Sequence, residues 1–121
     1  MTYLFLLGRV LFGGFFIMSG WNHLTKVAMM KGYTASKGVP SPALAVIVTG
    51  LMLLLGGLAI LFWFYLTLGV WLLVIFLLAA AFTFHDFWKV TDAQQKMTQK
   101  MLFMRNIALT GALLILLGLS F

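Results

Sequence analysis

The fold is decided by one apolar run, residues 43–84, which reads ALAVIVTGLMLLLGGLAILFWFYLTLGVWLLVIFLLAAAFTF. Tyr65 carries the only ionisable side chain in this run. A helix needs roughly 20 apolar residues to cross a bilayer, so the run is too long for one crossing and long enough for two. Large amphipathic aromatic residues favour the headgroup depth, which predicts a turn at Trp63-Phe64-Tyr65. The two crossings are therefore predicted at 43–62 and 66–84.

Two further apolar stretches flank this run, at residues 3–21 and 101–119. Of the 121 residues, 64% are hydrophobic and 8% are charged, whereas soluble domains carry about 25% charged residues. Too few polar side chains remain to cover a globule in water. We predict an all-α integral membrane protein in contact with the lipid bilayer. Its single transmembrane domain, residues 1–121, is expected to be a four-helix bundle.

The connection between the first two crossings, residues 22–42, is polar. Its first part is predicted to form a short helix that lies in the membrane interface. Gly38 suits the end of that helix, and Pro42 suits the first turn of the next one, where proline is tolerated. The connection at residues 85–100 is polar as well.

The basic residues indicate an orientation. With four crossings, the connections at 22–42 and 85–100 share one side of the membrane. They contain six of the eight Lys and Arg residues: Lys26, Lys31, Lys37, Lys89, Lys96 and Lys100. Because basic loops remain in the cytoplasm, we predict both connections to be cytoplasmic and both termini to lie outside. Topology thus accounts for the net charge of +6, and we expect no nucleic-acid partner.

Two segments of the chain resemble each other. TGLMLLLGGL at 49–58 and TGALLILLGL at 110–119 are identical at six of ten positions. An old duplication would produce two tandem helical hairpins. Leucine-rich helices also match one another through composition alone, so both explanations stay open.

Small residues in the apolar stretches are expected to let helix backbones approach closely. They are Gly13, Gly14, Gly50, Gly56, Gly57, Ala108, Gly111, Ala112 and Gly118. The chain has no cysteine, which excludes disulfides and thiolate metal sites. No nucleophile–base pair, carboxylate dyad or phosphate loop is recognisable. We therefore expect no catalysis by the chain alone, no metal site and no intrinsic cofactor.

Four residues are predicted to bind a ligand. Arg9 lies about two turns inside the first crossing, where an unpaired charge costs several kcal/mol. It therefore either reaches the nearby interface or binds an anion or a carbonyl oxygen. His23 and His85 end the first and third crossings on one side of the membrane, where each could hydrogen-bond a head group such as a quinone. Asp86 either orients His85 or pairs with Lys89. A purely interfacial role is the alternative for every one of these residues.

Other residues near the same side are predicted to hold helices together or in the interface. Asp86 and Arg105 are the predicted ion pair between the third and fourth crossings. Asn106 follows Arg105 at the start of the fourth crossing. Trp21 and Trp88 are predicted interfacial anchors, because amphipathic aromatic rings prefer the headgroup depth.

Several short motifs occur in one order along nearly the whole chain. They are Gly8-Arg9, Ser19-Gly20-Trp21-Asn22-His23-Leu24, Gly38-Val39-Pro40, Gly56-Gly57-Leu58, His85-Asp86-Phe87-Trp88, and Phe103-Met104-Arg105-Asn106-Ile107-Ala108-Leu109 with Gly111. Together they resemble the DoxX family of bacterial membrane proteins. The resemblance implies a four-helix protein of the bacterial cytoplasmic (inner) membrane. Founding relatives are a subunit of a thiosulfate:quinone oxidoreductase, and a mycobacterial relative is associated with an oxidoreductase complex. Protein partners and a bound quinone are therefore expected.

The sequence departs from the family pattern in two places. Many relatives carry a glutamate where this chain has Leu53, and the usual glycine and Thr-Arg of the second turn are replaced by Trp63 and Leu66-Thr67. We predict a small or accessory subunit of a quinone-linked membrane oxidoreductase or electron-transfer complex. The alternative is a structural or scaffolding subunit of a larger membrane assembly, with no redox or ligand role. The missing glutamate and the absence of cysteine favour that alternative.

Overall fold

The computed structural model describes residues 2–120, which contain α-helices and no strand. The helices are α1 (Thr2–Thr25), α2 (Val27–Ser36), α3 (Pro42–Phe62), α4 (Leu66–Phe84) and α5 (Ala93–Leu119), with a single 3₁₀ turn at Phe87–Lys89. All but α2 are long and apolar enough to cross a membrane. This confirms the predicted all-α fold with four candidate crossings and a short helix between the first two.

Helix ends follow local sequence signals. Helix α2 ends just before Gly38, whose φ of 79° is readily adopted only by glycine. Helix α3 begins at Pro42 and ends before the predicted turn at residues 63–65. In that turn Trp63 and Tyr65 have φ values of 56° and 51°, which are uncommon for bulky residues. The backbone conformation of this turn is therefore stabilised by contacts with the rest of the protein rather than by the intrinsic preferences of its residues.

Two helices extend beyond the predicted crossings. Helix α1 continues to Thr25, and α5 already begins at Ala93. The early start of α5 has a local cause, because the Asp92 carboxylate accepts a hydrogen bond from the Gln95 amide at 2.9 Å and so caps the helix. The 27 residues of α5 give a helix of about 40 Å, longer than the ~30 Å hydrocarbon core. The limits of the crossings themselves stay predictions.

The chain forms two compact units, Met1–Leu73 and Val74–Phe121. In the first unit, α1 packs antiparallel against α3 through glycines. A Cβ atom added to Gly20 would lie 2.6 Å from the Leu54 nitrogen and 2.7 Å from the Gly50 oxygen. Such contacts mean that the two backbones touch, as in small-residue packing of membrane helices.

The same packing continues along the first unit. Gly13 faces Gly57 between α1 and α3, while Gly69 of α4 lies against Ala59 of α3. Gly56 of α3 packs directly against the Leu73 side chain of α4. Four of the glycines predicted to pack thus do so: Gly13, Gly50, Gly56 and Gly57. Added Cβ atoms on Gly14, Gly111 and Gly118 would meet no described atom of their own unit within 4 Å, so close packing at these three stays a prediction.

The second unit contains the end of α4, the 3₁₀ turn and α5. Asn106 of α5 is buried, and its side-chain amide donates to the Leu77 carbonyl of α4 at 3.2 Å. The rings of Phe82 and Phe103 meet edge to face at 5.3 Å. These two contacts join α4 and α5 as antiparallel neighbours.

Large apolar side chains are exposed on all four long helices. Leu4, Leu55, Leu68 and Ile115 are exposed by 67%, 54%, 62% and 65%. Their surfaces would be costly to hydrate, whereas lipid chains cover them without penalty. The exposed apolar surface therefore agrees with the membrane protein that we predict from the composition.

Candidate functional site

Arg9 closes the C-terminal end of α3. The last carbonyl groups of a helix have no partner within it, and the Leu61 carbonyl belongs to that set. It accepts hydrogen bonds from Arg9 Nε at 3.1 Å and from Nη2 at 2.7 Å. The guanidinium carbon also lies 5.3 Å from the Phe5 ring centre and 5.7 Å from that of Trp63. A cation at this end complements the helix dipole, so Arg9 has a structural role, and a ligand contact stays a prediction.

His23 is bonded to the other end of α3. Its Nδ1 lies 3.1 Å from Thr49 Oγ1 and 3.3 Å from the Val46 carbonyl oxygen. The Thr49 hydroxyl donates in turn to the Ala45 carbonyl at 2.7 Å. Because a carbonyl oxygen only accepts, Nδ1 carries a hydrogen and donates. This fixes the ring between α1 and α3.

Arg9 and His23 are not brought together. They are separated by 14 positions of one continuous helix, or about 21 Å. Arg9 contacts Leu61 at the C-terminal end of α3, whereas His23 contacts Thr49 in its N-terminal half. The α1–α3 pair is thus fastened by a polar contact at both ends.

His85 follows directly after α4 and is half-buried. Its Nδ1 lies 2.9 Å from Gln99 Oε1 of α5. An amide oxygen only accepts, so Nδ1 donates, and the neutral ring then offers Nε2 as an acceptor. Sequence reasoning assigned Asp86 as one candidate to orient His85, and it missed Gln99. A glutamine on a polar helical turn carries no sequence signal that would identify it.

Four rings form an aromatic cluster: Phe82, Phe87 and Trp88, which are close to His85 in the chain, and Phe103 of α5. The rings of Phe87, Trp88 and Phe103 have centre-to-centre distances of 5.3, 5.4 and 5.7 Å. Lys100 places its Nζ 5.9 Å from the Phe87 ring centre. Trp88 remains 47% exposed. The cluster therefore combines aromatic rings in edge-to-face contact with a nearby cation.

The remaining predicted residues differ in how deeply they are buried. Asp86 is buried, while Arg105 is exposed, and their ion pair stays a prediction. Asn106 is buried against α4, as described for Leu77, which supports an interhelical role. Trp21 is 62% exposed, as an interfacial anchor would be.

An open groove of about 250 Å³ lies between α3 and α4 beside the turn. Leu55, Phe62 and Leu72 are among its lining residues, and none of the four predicted ligand-binding residues lines it. Among residues 2–120, no group of three or more His, Cys, Asp or Glu side chains could hold a metal ion.

These features define a polytopic α-helical membrane protein whose polar side chains lie mainly at helix ends. The chain belongs to the DoxX family, whose model matches residues 4–86. It is 32% identical over 111 residues to the inner membrane protein YqjF of Escherichia coli strain K12, an alignment covering 92% of this chain and 79% of that protein. No solved structure matches the chain. The family resemblance is confirmed, and the matched segment contains Arg9, His23, His85 and Asp86.

Proposed function

We propose that this DoxX-family protein is a small or accessory subunit of a quinone-linked oxidoreductase or electron-transfer complex in the bacterial inner membrane. Family membership and the similarity to an inner membrane protein support the location. In this role the chain supplies a quinone contact, and partner subunits supply the redox groups.

The observation that carries the proposal is the hydrogen bond between His85 and Gln99. It holds the imidazole in one orientation and one tautomer, which makes Nε2 the ring nitrogen that would bond a ligand. The aromatic cluster, which includes Phe87 and Trp88 of the turn that follows His85, offers apolar rings of the kind that pack against a planar ring. A quinone combines a planar ring with polar oxygens at its edge. The reduced form, the quinol, carries hydroxyl groups at those positions, and one of them would donate to His85 Nε2. Phe87 or Trp88 would contact the ring.

The proposal assigns different roles to the other predicted residues. Arg9 and His23 fasten α1 to α3 through Leu61 and Thr49, and so hold the scaffold. Both termini lie outside, and the connections at 22–42 and 85–100 face the cytoplasm. Their lysines would dock partner subunits on that side. This orientation places His85 near the cytoplasmic surface.

Purification from native membranes tests the proposal. The tagged chain is extracted in mild detergent, co-purifying proteins are identified by mass spectrometry, and bound quinones are extracted and quantified. We expect redox subunits and quinone to co-purify, and a deletion strain to respire more slowly on quinone-dependent substrates. Absence of both molecules together with unchanged respiration would overturn the proposal.

A structural subunit with no ligand is the second candidate, and one residue favours it. Leu53, where the family resemblance places a glutamate, is 2% exposed and packed in the first unit. An apolar core there needs no ligand to complete it. With this function the chain would co-purify with a large membrane complex but without quinone.

A further inference from the structure

The first two turns of α5 are polar and exposed. Residues 93–98 and Lys100 are exposed, and Gln99 is half-buried. Because the fourth crossing is predicted to begin at 101, these residues extend about 12 Å beyond it. At that distance from the predicted crossing they would lie at the depth of phospholipid headgroups.

Two lysines on this segment face the same side of the helix. Lys96 and Lys100 are exposed and one turn apart, so they are surface neighbours, and their like charges repel. The single exposed acid of the 87–105 segment is Asp92, whose carboxylate already caps α5 by accepting from Gln95. Lys100 is also positioned over the Phe87 ring. A bound anion between the two lysines would relieve their repulsion.

An apolar stripe begins beside this pair. Met97, Met101 and Met104 follow one another at helical spacing and are exposed by 66%, 67% and 56%. Flexible methionine side chains fit irregular apolar partners. A molecule that carries an anionic head and an apolar tail would match the lysines and the methionines together.

We propose that Lys96, Lys100 and this methionine stripe form a binding site for an anionic phospholipid. The phosphodiester lies between the two ammonium groups, and an acyl chain follows Met97, Met101 and Met104 into the bilayer. Phosphatidylglycerol has this chemistry, whereas phosphatidylcholine carries its own compensating cation. The inference is independent of the proposed quinone function.

Helix α2 provides a matched comparison. Lys26 and Lys31 are also exposed and lie in the other polar connection. Lys26 is the N-cap residue of α2, and Lys31 lies five positions later in that helix, about 140° around its axis, so they are poorly placed to share one phosphate. Changing either pair to glutamine removes the same charge from the protein.

Native mass spectrometry of the purified chain, titrated with phosphatidylglycerol or with phosphatidylcholine of the same acyl chains, tests the site. We expect the unchanged protein to prefer phosphatidylglycerol. The double variant K96Q/K100Q should bind it about tenfold more weakly, because each lysine beside an anionic headgroup contributes severalfold to affinity. The double variant K26Q/K31Q should bind it as the unchanged protein does.

Two results would overturn the inference. One is equal binding of the two lipids by the unchanged protein. The other is an equal loss in both double variants, which would show that overall charge rather than a site governs binding. All four lysines are exposed, so both variants are expected to fold, and their melting temperatures verify this.

Discussion

The guanidinium of Arg9 donates two hydrogen bonds to the carbonyl oxygen of Leu61, at 2.7 and 3.1 Å. The contact satisfies a carbonyl in the last turn of α3 and places a cation at the negative end of that helix. A costly charge inside an apolar helix is thus compensated by the protein's own backbone.

Replacing Arg9 by glutamine should therefore destabilise the protein. The variant R9Q loses the charged hydrogen bonds and the contacts with Phe5 and Trp63, which together predicts a loss of about 2 kcal/mol. Thermal unfolding in detergent measures the change. The variant K31Q, at an exposed lysine, should change stability by less than about 0.5 kcal/mol. Equal stability of the two variants would contradict the capping role.

The α1–α3 contact predicts opposite effects for two glycines of one helix. Alanine at Gly20 places a Cβ within 2.7 Å of the backbone of α3, and overpacking of this kind costs about 1–3 kcal/mol. Alanine at Gly14 meets open space and gains helix propensity of up to about 1 kcal/mol. We expect G20A to melt at a lower temperature than the unchanged protein, and G14A at the same or a higher one. A lower melting temperature for G14A than for G20A would show that α1 packs against α3 through a different face.

The buried amide of Asn106 predicts a small effect. Replacement by leucine removes the hydrogen bond to Leu77, and interhelical hydrogen bonds in membrane proteins contribute about 0.6 kcal/mol on average and up to about 1.7. Thermal unfolding of N106L should show a loss in that range. Thr98, exposed on the same helix, gives the control variant T98V, which should match the unchanged protein. A more stable N106L would show that the amide bond contributes nothing.

The predicted orientation can be tested with single cysteines, because the chain has none of its own. A maleimide that cannot cross membranes is added from outside to spheroplasts that carry one cysteine. We expect labelling at T2C and S120C, and labelling at K31C and Q94C only after permeabilisation. Labelling of K31C or Q94C in sealed spheroplasts would show that the protein has the opposite orientation.

Much of the fold could be predicted from apolar length. Residues 43–84 had to contain two crossings, and three adjacent aromatic residues marked the turn, which lies at Trp63–Tyr65 in the structure. The early start of α5 was missed because hydropathy detects the part of a helix that fits lipid. Asp92 starts the helix two turns earlier by capping it.

The partners of the predicted site residues could not be predicted in the same way. Arg9 binds a backbone carbonyl, and every residue has one, so no sequence pattern points to Leu61. Which glycines meet another helix was equally hidden, because α1 and the part of α5 after Lys100 are largely apolar and lack a polar side that would orient them. Gly13 and Gly14 look alike in sequence, yet only Gly13 touches α3.

Quinone bound per purified chain tests the central claim most directly. The unchanged protein, H85L and Q99E are purified in parallel and loaded in lipid nanodiscs, under exclusion of air, with the same quinone in its reduced quinol form. The bound molecule is quantified as total quinone after washing. We predict retention by the unchanged protein and by Q99E, whose carboxylate still accepts from His85, and about tenfold less in H85L because one hydrogen bond is lost. Equal quinone in H85L and the unchanged protein, with equal melting temperatures, would contradict the assignment of His85 as the quinone contact.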